Sequence, residues 1–201
     1  MGNCDVTLTP RFTEALAFAA LLHRNQERKG PDKVPYLAHL LLVAGTVLEY
    51  GGDEEEATAG LLHDAVEDQG GATTRETIRR MFGERVAGIV DGCTDAGEEP
   101  KPPWRRRKQD FIASLAEAPE SVLLVVLADK LSNVRSTIRD LREAGEEIWS
   151  RFRGRRDGTL WYYRAIVDAI RPSERTAPLA REFAKNVKEL EALAGDGSSI
   201  H

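Results

Sequence analysis

The chain has 201 residues and a formal net charge of −5, with 41% hydrophobic and 30% charged residues. That length suits one compact domain with a single core, and the acidic balance argues against nucleic acid or an anionic membrane as the main partner. No apolar run approaches the roughly 18 residues of a membrane span, and the opening MGNCDVTLTPRF lacks the basic flank and apolar stretch of a secretory signal. Met1-Gly2-Asn3-Cys4 is like a myristoylation start, but Val6 stands where Ser or Thr is needed. Cys4 and Cys93 are too few and too distant for a disulfide framework, so a reducing cytoplasm is expected.

Helical periodicity runs through the whole chain. Thr9-Pro10 reads as an N-cap and first turn of a helix reaching about Gln26, with Phe12, Leu16, Ala19 and Ala20 on one stripe. Glu27 to Pro35 is a loop by its Gly, two Pro and charges. A strongly apolar helix from about Leu37 to Tyr50 stops at Gly51-Gly52. Asp53 caps a third helix, with Glu54, Glu55 and Glu56 where the helix dipole favours anions; it carries AGLLHDAVED and ends near Gly70. Thr74 opens a short helix ending at Phe82-Gly83, and another spans about Glu84 to Thr94. Beyond a loop from Ala96 to Pro103, helices are expected at Trp104–Glu117, Pro119–Arg142, Gly145–Arg151, Leu160–Ile170 and Ser173–Ala194. VLLVVL could by itself be a buried strand, but its flanks are helical. The expectation is an all-α bundle of about eight to ten helices, one domain over residues 1–194 with a disordered tail at 195–201.

The chemistry gathers on a few polar residues inside apolar helices. His63 and Asp64 are adjacent between AGLL and AV. Burying both unpaired would cost several kcal/mol, which a divalent cation would offset. Glu67 and Asp68 lie one turn after them, as a solvated helix end or as acids that hold and deprotonate a water. Asp129 follows VVLA, and a carboxylate there needs a base, a cap or a metal; Lys130 lies about 100° around the helix and need not be that partner. His39 heads the second helix. Together His39, His63, Asp64 and Asp129 form a two-His, two-carboxylate set compatible with Mn²⁺, Fe²⁺, Zn²⁺ or Mg²⁺, the nitrogens leaning away from Mg²⁺. Arg28 and Lys29, in the loop before His39, can meet phosphates or stack on a base. KPPWRRRK, from Lys101 to Lys108, is either a phosphate-facing rim or a solvated helix start.

The order His39, His63-Asp64, Asp129 resembles the signature of the HD superfamily of metal-dependent phosphohydrolases. HRNQERKGPDKVPYLAHLLLVA, AGLLHDAVEDQGGAT, FGERVAGIVDGCTD and LADKLSNVRS resemble the hydrolase domain of the RelA/SpoT family, and still better its stand-alone small alarmone hydrolases of the metazoan SpoT-homologue type, over residues 10 to 170. The resemblance implies Mn²⁺-dependent hydrolysis of the 3′-pyrophosphate of (p)ppGpp, giving GDP or GTP and pyrophosphate. By position it implies metal ligands His39, His63, Asp64 and Asp129, a water-activating pair Glu67 and Asp68, and nucleotide contacts from Arg28, Lys29, Asn133 and Tyr162. Ser132 stands where the family often has His, and Lys130 where it often has Arg. A hydrolase without synthetase activity is expected, with its oligomeric state open and a homodimer one option. Two alternatives stay open: an HD phosphohydrolase acting on ppApp, NADPH or a nucleoside monophosphate, and a non-catalytic nucleotide-binding module.

Overall fold

A computed structural model describes residues 6–30, 32–95 and 102–196. Met1 to Cys4, Lys101 with most of its loop, and the tail from 197 lie outside the described residues. Among the described residues the fold is all-α, with one isolated bridge pairing Glu27 and Pro35.

Helix α1 (Pro10–Leu22) starts as the sequence suggests: the Thr9 hydroxyl accepts from the Arg11 amide. The Thr9 amide and hydroxyl both donate to Glu54 Oε1, at 2.8 and 2.7 Å, tying this end to the start of α3. The helix stops short of Gln26 because the next residues enter a different ladder. The Arg28 amide donates to the Val34 carbonyl and the Tyr36 amide to the Gln26 carbonyl, each at 2.8 Å. The segments 26–30 and 32–36 are thereby drawn together, delivering Tyr36 to the start of α2 (Leu37–Glu49).

Helix α3 (Glu54–Leu62) has the expected Asp53 cap in full, as a reciprocal capping box with Glu56. The single helix expected through AGLLHDAVED is corrected to two, because the chain turns at His63-Asp64 before α4 (Ala65–Asp68). The His63 ring Nδ1 sits 2.9 Å from the Gly60 carbonyl, satisfying one of the oxygens a helix end leaves open. Helix α5 (Gly71–Cys93) is bent at Gly83, whose φ of 90° and ψ of 171° break it where the sequence suggested two helices.

Helices α6 (Trp104–Leu115) and α7 (Glu120–Ala144) follow, then a 3₁₀ segment at Gly145–Arg151, α8 (Arg155–Ala169) and α9 (Ala177–Asp196). The VLLVVL run is helical because its apolar spacing continues through Leu131, Val134, Ile138 and Leu141, all buried. Every residue from Val122 to Ala128 is buried, and α7 packs against α2, α3, α5 and α9. It is the central rod of the bundle. The fully buried Glu56 is paired with Arg175, ahead of α9, and with Arg85 of α5.

Gly60 governs how closely α2 and α3 approach, since a Cβ there would lie 3.2 Å from Ala44 Cα. We expect Gly60→Val to destabilise the protein by about 1–3 kcal/mol in denaturant unfolding, through overpacking. It should also weaken divalent-ion binding, because the same two helices carry His39 and His63. Gly88→Ala, where an added Cβ meets nothing within 4 Å, should be neutral or slightly stabilising in the same assay.

Candidate metal centre

The HD-pair turn, the head of α2 and the middle of α7 meet at the bottom of a cleft of about 680 Å³. His39 Nε2 lies 3.2 Å from Asp129 Oδ1 and 3.9 Å from Asp64 Oδ2. His63 Nε2 lies 3.0 Å from Asp64 Oδ2 and 3.6 Å from Asp129 Oδ1. Both Nε2 atoms are fully buried and neither makes a hydrogen bond. Their other ring nitrogens are engaged: His63 Nδ1 with the Gly60 carbonyl, His39 Nδ1 with Ser132 Oγ at 3.0 Å. This is how a metal-binding imidazole is held, its far nitrogen anchored so that the near lone pair faces the ion.

The spacing fits a cation. Bonds of roughly 2.0–2.2 Å place neighbouring ligand atoms about 3–4 Å apart, the separation seen among these four groups. His39, His63 and Asp129 each offer an atom within 4.8 Å of the others, all three buried. Asp64 stands beside them at the rim, with its side chain 25% exposed.

The carboxylates are held from outside as well. The Tyr36 hydroxyl donates to Asp64 Oδ2. Asn133 Nδ2 donates to Asp129 Oδ1, and Lys130 Nζ lies 2.5 Å from Asp129 Oδ2. Lys130, which its helical offset left as an optional partner, is therefore paired with Asp129. Its long stem bends back along the buried surface of its own helix. Burial opposes the ionisation of Asp129, yet the Lys130 charge and the two histidines outweigh it and hold the carboxyl well below its ordinary range. Burial likewise opposes the ionisation of Asp64, and the nearby His63 charge outweighs it and lowers the pKa.

Of the candidate residues read from sequence, all but His63 line the cleft, and His63 lies directly behind Asp64. Arg28 donates to Asn133 Oδ1 and Ser136 Oγ, both at 3.2 Å. Lys29 stands at the mouth, where desolvation and then the like charges of Arg153 and Lys108 lower its pKa. Glu67 faces Arg107 Nη1 at 3.7 Å, and Asp68 Oδ2 accepts from Gln26 Nε2 at 2.7 Å. Tyr162 is 8% exposed, its ring approached by Lys108 Nζ at 4.7 Å and Lys130 Nζ at 5.8 Å.

The basic segment divides. Arg107 and Lys108 turn into the cleft, where Asp95 pairs with both; Arg105 stacks on Trp161 and Arg106 pairs with Asp110 at the surface. Trp104 also lines the cleft, seated over Gly154 and Gly158, where a Cβ would collide with its ring. Tyr36, Asp95, Gln26 and Trp104 are the contributors that sequence reading passed over. Tyr36 alone left a signal, as a Tyr in the hydrogen-bonding position just ahead of an expected ligand helix.

Residues 15–160 match the family described as HD domain. The chain is 40% identical to the guanosine-3′,5′-bis(diphosphate) 3′-pyrophosphohydrolase MESH1 of Danio rerio, over 74% of this chain and 77% of that protein. It is 41% identical to the Xenopus tropicalis MESH1, over 68% and 73%. A solved structure described as a metazoan ortholog of SpoT that hydrolyzes ppGpp superposes with a TM-score of 0.74 at 30% identity, covering 92% of this chain and 97% of that one. The chain belongs to the HD domain family, on its MESH1 branch. A divalent metal is implied by that family, and the buried histidine–aspartate cluster is where one fits. No helix of the described residues is long and apolar enough to cross a membrane.

The electrostatics predict proton release on metal binding. Burial disfavours charge on both histidines; it prevails at His39, lowering its pKa, whereas at His63 the two aspartates outweigh it and raise the pKa well above 6.5. The stability supplied by charged His63 is complete below its unfolded value, about 6.5, and is lost as pH rises through the raised folded value. That supplied by Asp64 and Asp129 is present above about 4 and lost on acidification through their depressed values. Of His39, His63, Asp64 and Asp129, His63 is the one whose shift favours the protonated form at neutral pH. Titration calorimetry in buffers of differing ionisation enthalpy should show about one proton released per ion, with affinity rising with pH. Binding without proton release would contradict this ionisation state.

Proposed function

We propose that this chain hydrolyses the 3′-pyrophosphate of (p)ppGpp, using one divalent cation, Mn²⁺ in the first instance, held by His39, His63, Asp64 and Asp129. The observation that carries the reading is the pair of buried, unbonded Nε2 atoms facing two carboxylates at the floor of a cation-lined cleft. The likeness to the MESH1 pyrophosphohydrolases supports the substrate. In the reaction water attacks the phosphorus bonded to the ribose 3′ oxygen. That ester bond breaks, the hydroxide leaves with pyrophosphate, and the 3′ oxygen takes up a proton to give GDP or GTP. A divalent ion bound at the cluster supplies Lewis-acid charge toward the phosphoryl oxygens and makes water nucleophilic at neutral pH.

The chain's own residues do the rest. Glu67 and Asp68 project from α4 beside the HD pair, where they orient the attacking water and accept its proton. Arg28 is held by Asn133 and Ser136 with its guanidinium in the cleft, and it meets phosphate oxygens together with Lys29. Arg107 and Lys108 extend the same positive wall, fixed in place by Asp95. Tyr162 and Trp104 line the part of the cleft open to the base. The reading places the enzyme in the cytoplasm, with a nucleotide as its partner.

The test is pyrophosphate release from ppGpp by purified protein with Mn²⁺, run beside Fe²⁺, Zn²⁺ and Mg²⁺ and a panel of ppApp, NADPH and nucleoside monophosphates. Asp68→Asn should lower kcat by about 10²–10⁴-fold, the range for loss of a general base. His63→Ala should abolish both turnover and stoichiometric metal. Intact ppGpp alongside hydrolysis of another panel member would transfer the mechanism to that substrate, and metal content unaffected by His63→Ala would remove the proposed centre.

A further inference from the structure

Asp68 sits on a helix of four residues at the protein surface, yet its carboxylate is not left to wander. Gln26 Nε2 donates to its Oδ2 at 2.7 Å. The same amide's Oε1 lies 2.6 Å from Gln69 Nε2 and 2.7 Å from His23 Nδ1. His23 is 2% exposed, and its ring stacks on Tyr36 with centroids 5.4 Å apart. The Tyr36 hydroxyl in turn donates to Asp64. One cluster at the end of α1 therefore reaches both the metal cluster, through Tyr36, and the carboxylate on α4, through Gln26.

The hydrogen-bonding roles in this cluster leave no choice of direction. A carboxylate only accepts, so the Gln26 amide must turn its NH₂ toward Asp68. Its carbonyl oxygen then faces His23, which must present a protonated Nδ1. The Gln69 amide completes the carbonyl's second lone pair. His23 Nε2, buried and without a partner, is accordingly the unprotonated nitrogen. A flipped Gln26 would bring its oxygen against Asp68 and leave the His23 proton unanswered.

We propose that His23 and Gln26 are positioning residues: His23 fixes the orientation of the Gln26 amide, and that amide aims the Asp68 carboxylate at the attacking water. The inference rests on the water-activating role proposed above for Asp68. Neither residue hydrogen-bonds to His39, His63, Asp64 or Asp129, so the expected effect falls on the rate and not on metal affinity. A misdirected catalytic group of this kind costs up to about 10²-fold.

Gln26→Leu keeps the bulk and removes both polar ends. It should lower kcat about 10–100-fold, while KM, Mn²⁺ affinity and melting temperature stay within about twofold or a degree or two. His23→Phe keeps the ring stacked on Tyr36 without the donor and should lower kcat in the same way but less. In an Asp68→Asn background Gln26→Leu should add little further loss, since the group it aims is already gone. An unchanged kcat in Gln26→Leu overturns the proposal. So does a loss matched by equal losses of metal affinity or stability, or one of the same factor in both backgrounds. A further arm needs no substrate: ¹⁵N NMR of His23 in the metal-free protein should show the Nδ1-protonated tautomer, and the Nε2-protonated form would overturn the orientation argument. Inactivity of the unsubstituted protein on ppGpp would count against the substrate alone, since the tautomer and the mutant comparison on any hydrolysed nucleotide read the positioning separately.

Discussion

Asp129 ends a run of seven buried apolar residues on the central helix, and the rest of the site is arranged around keeping that carboxylate ionised there. An unpaired charge in such a place would cost several kcal/mol. Lys130 answers it from one side, Asn133 donates from the next turn, and His39 and His63 approach from two other helices. None of these partners saturates the cluster. Both histidines turn an unbonded Nε2 inward toward the carboxylates, an arrangement that a divalent cation fits.

Three local features make that convergence possible. Gly60 lets α2 and α3 approach until a side-chain carbon would meet backbone, and its carbonyl also anchors the His63 ring. The break at His63-Asp64 ends α3 and starts α4, so that one short segment supplies two proposed ligands and two further acids. Ser132 anchors the His39 ring from α7. A small hydroxyl performs there the orienting task that outer groups perform in metal sites generally.

The cleft is acidic at its floor and basic on its walls. Such a division, with Arg28, Lys29, Arg107 and Lys108 on the walls, suits a substrate that is itself a polyanion. Asp95 pairs with both Arg107 and Lys108, and Arg107 also lies 3.7 Å from Glu67 of α4. The aromatic groups beside them, Tyr162 and Trp104, present flat apolar surface at the cleft's far end. Lys130 near Tyr162 links the two ends, since one ammonium serves both the buried aspartate and the ring.

Much of this was legible along the chain because it depends on local rules. Apolar spacing declared the helices, Thr9 and Asp53 declared two starts, and Gly83 declared a bend. His39, His63, Asp64 and Asp129 were visible because polar residues inside apolar helices demand an explanation. Glu67 and Asp68 were visible because they follow one turn later. What the tertiary structure alone decided involves groups far apart in sequence or equivalent by local rules. Lys130 pairs with Asp129 because a flexible stem can turn back along its own helix, which a helical wheel does not represent. Tyr36, Gln26 and Asp95 matter through hydrogen bonds to residues on other elements. Arg107 and Arg106 are neighbours of one type, and only the packing of α6 sends the first into the cleft and the second to solvent. Periodicity and capping are properties of a few consecutive residues, whereas a donor finds its acceptor only when helices have packed.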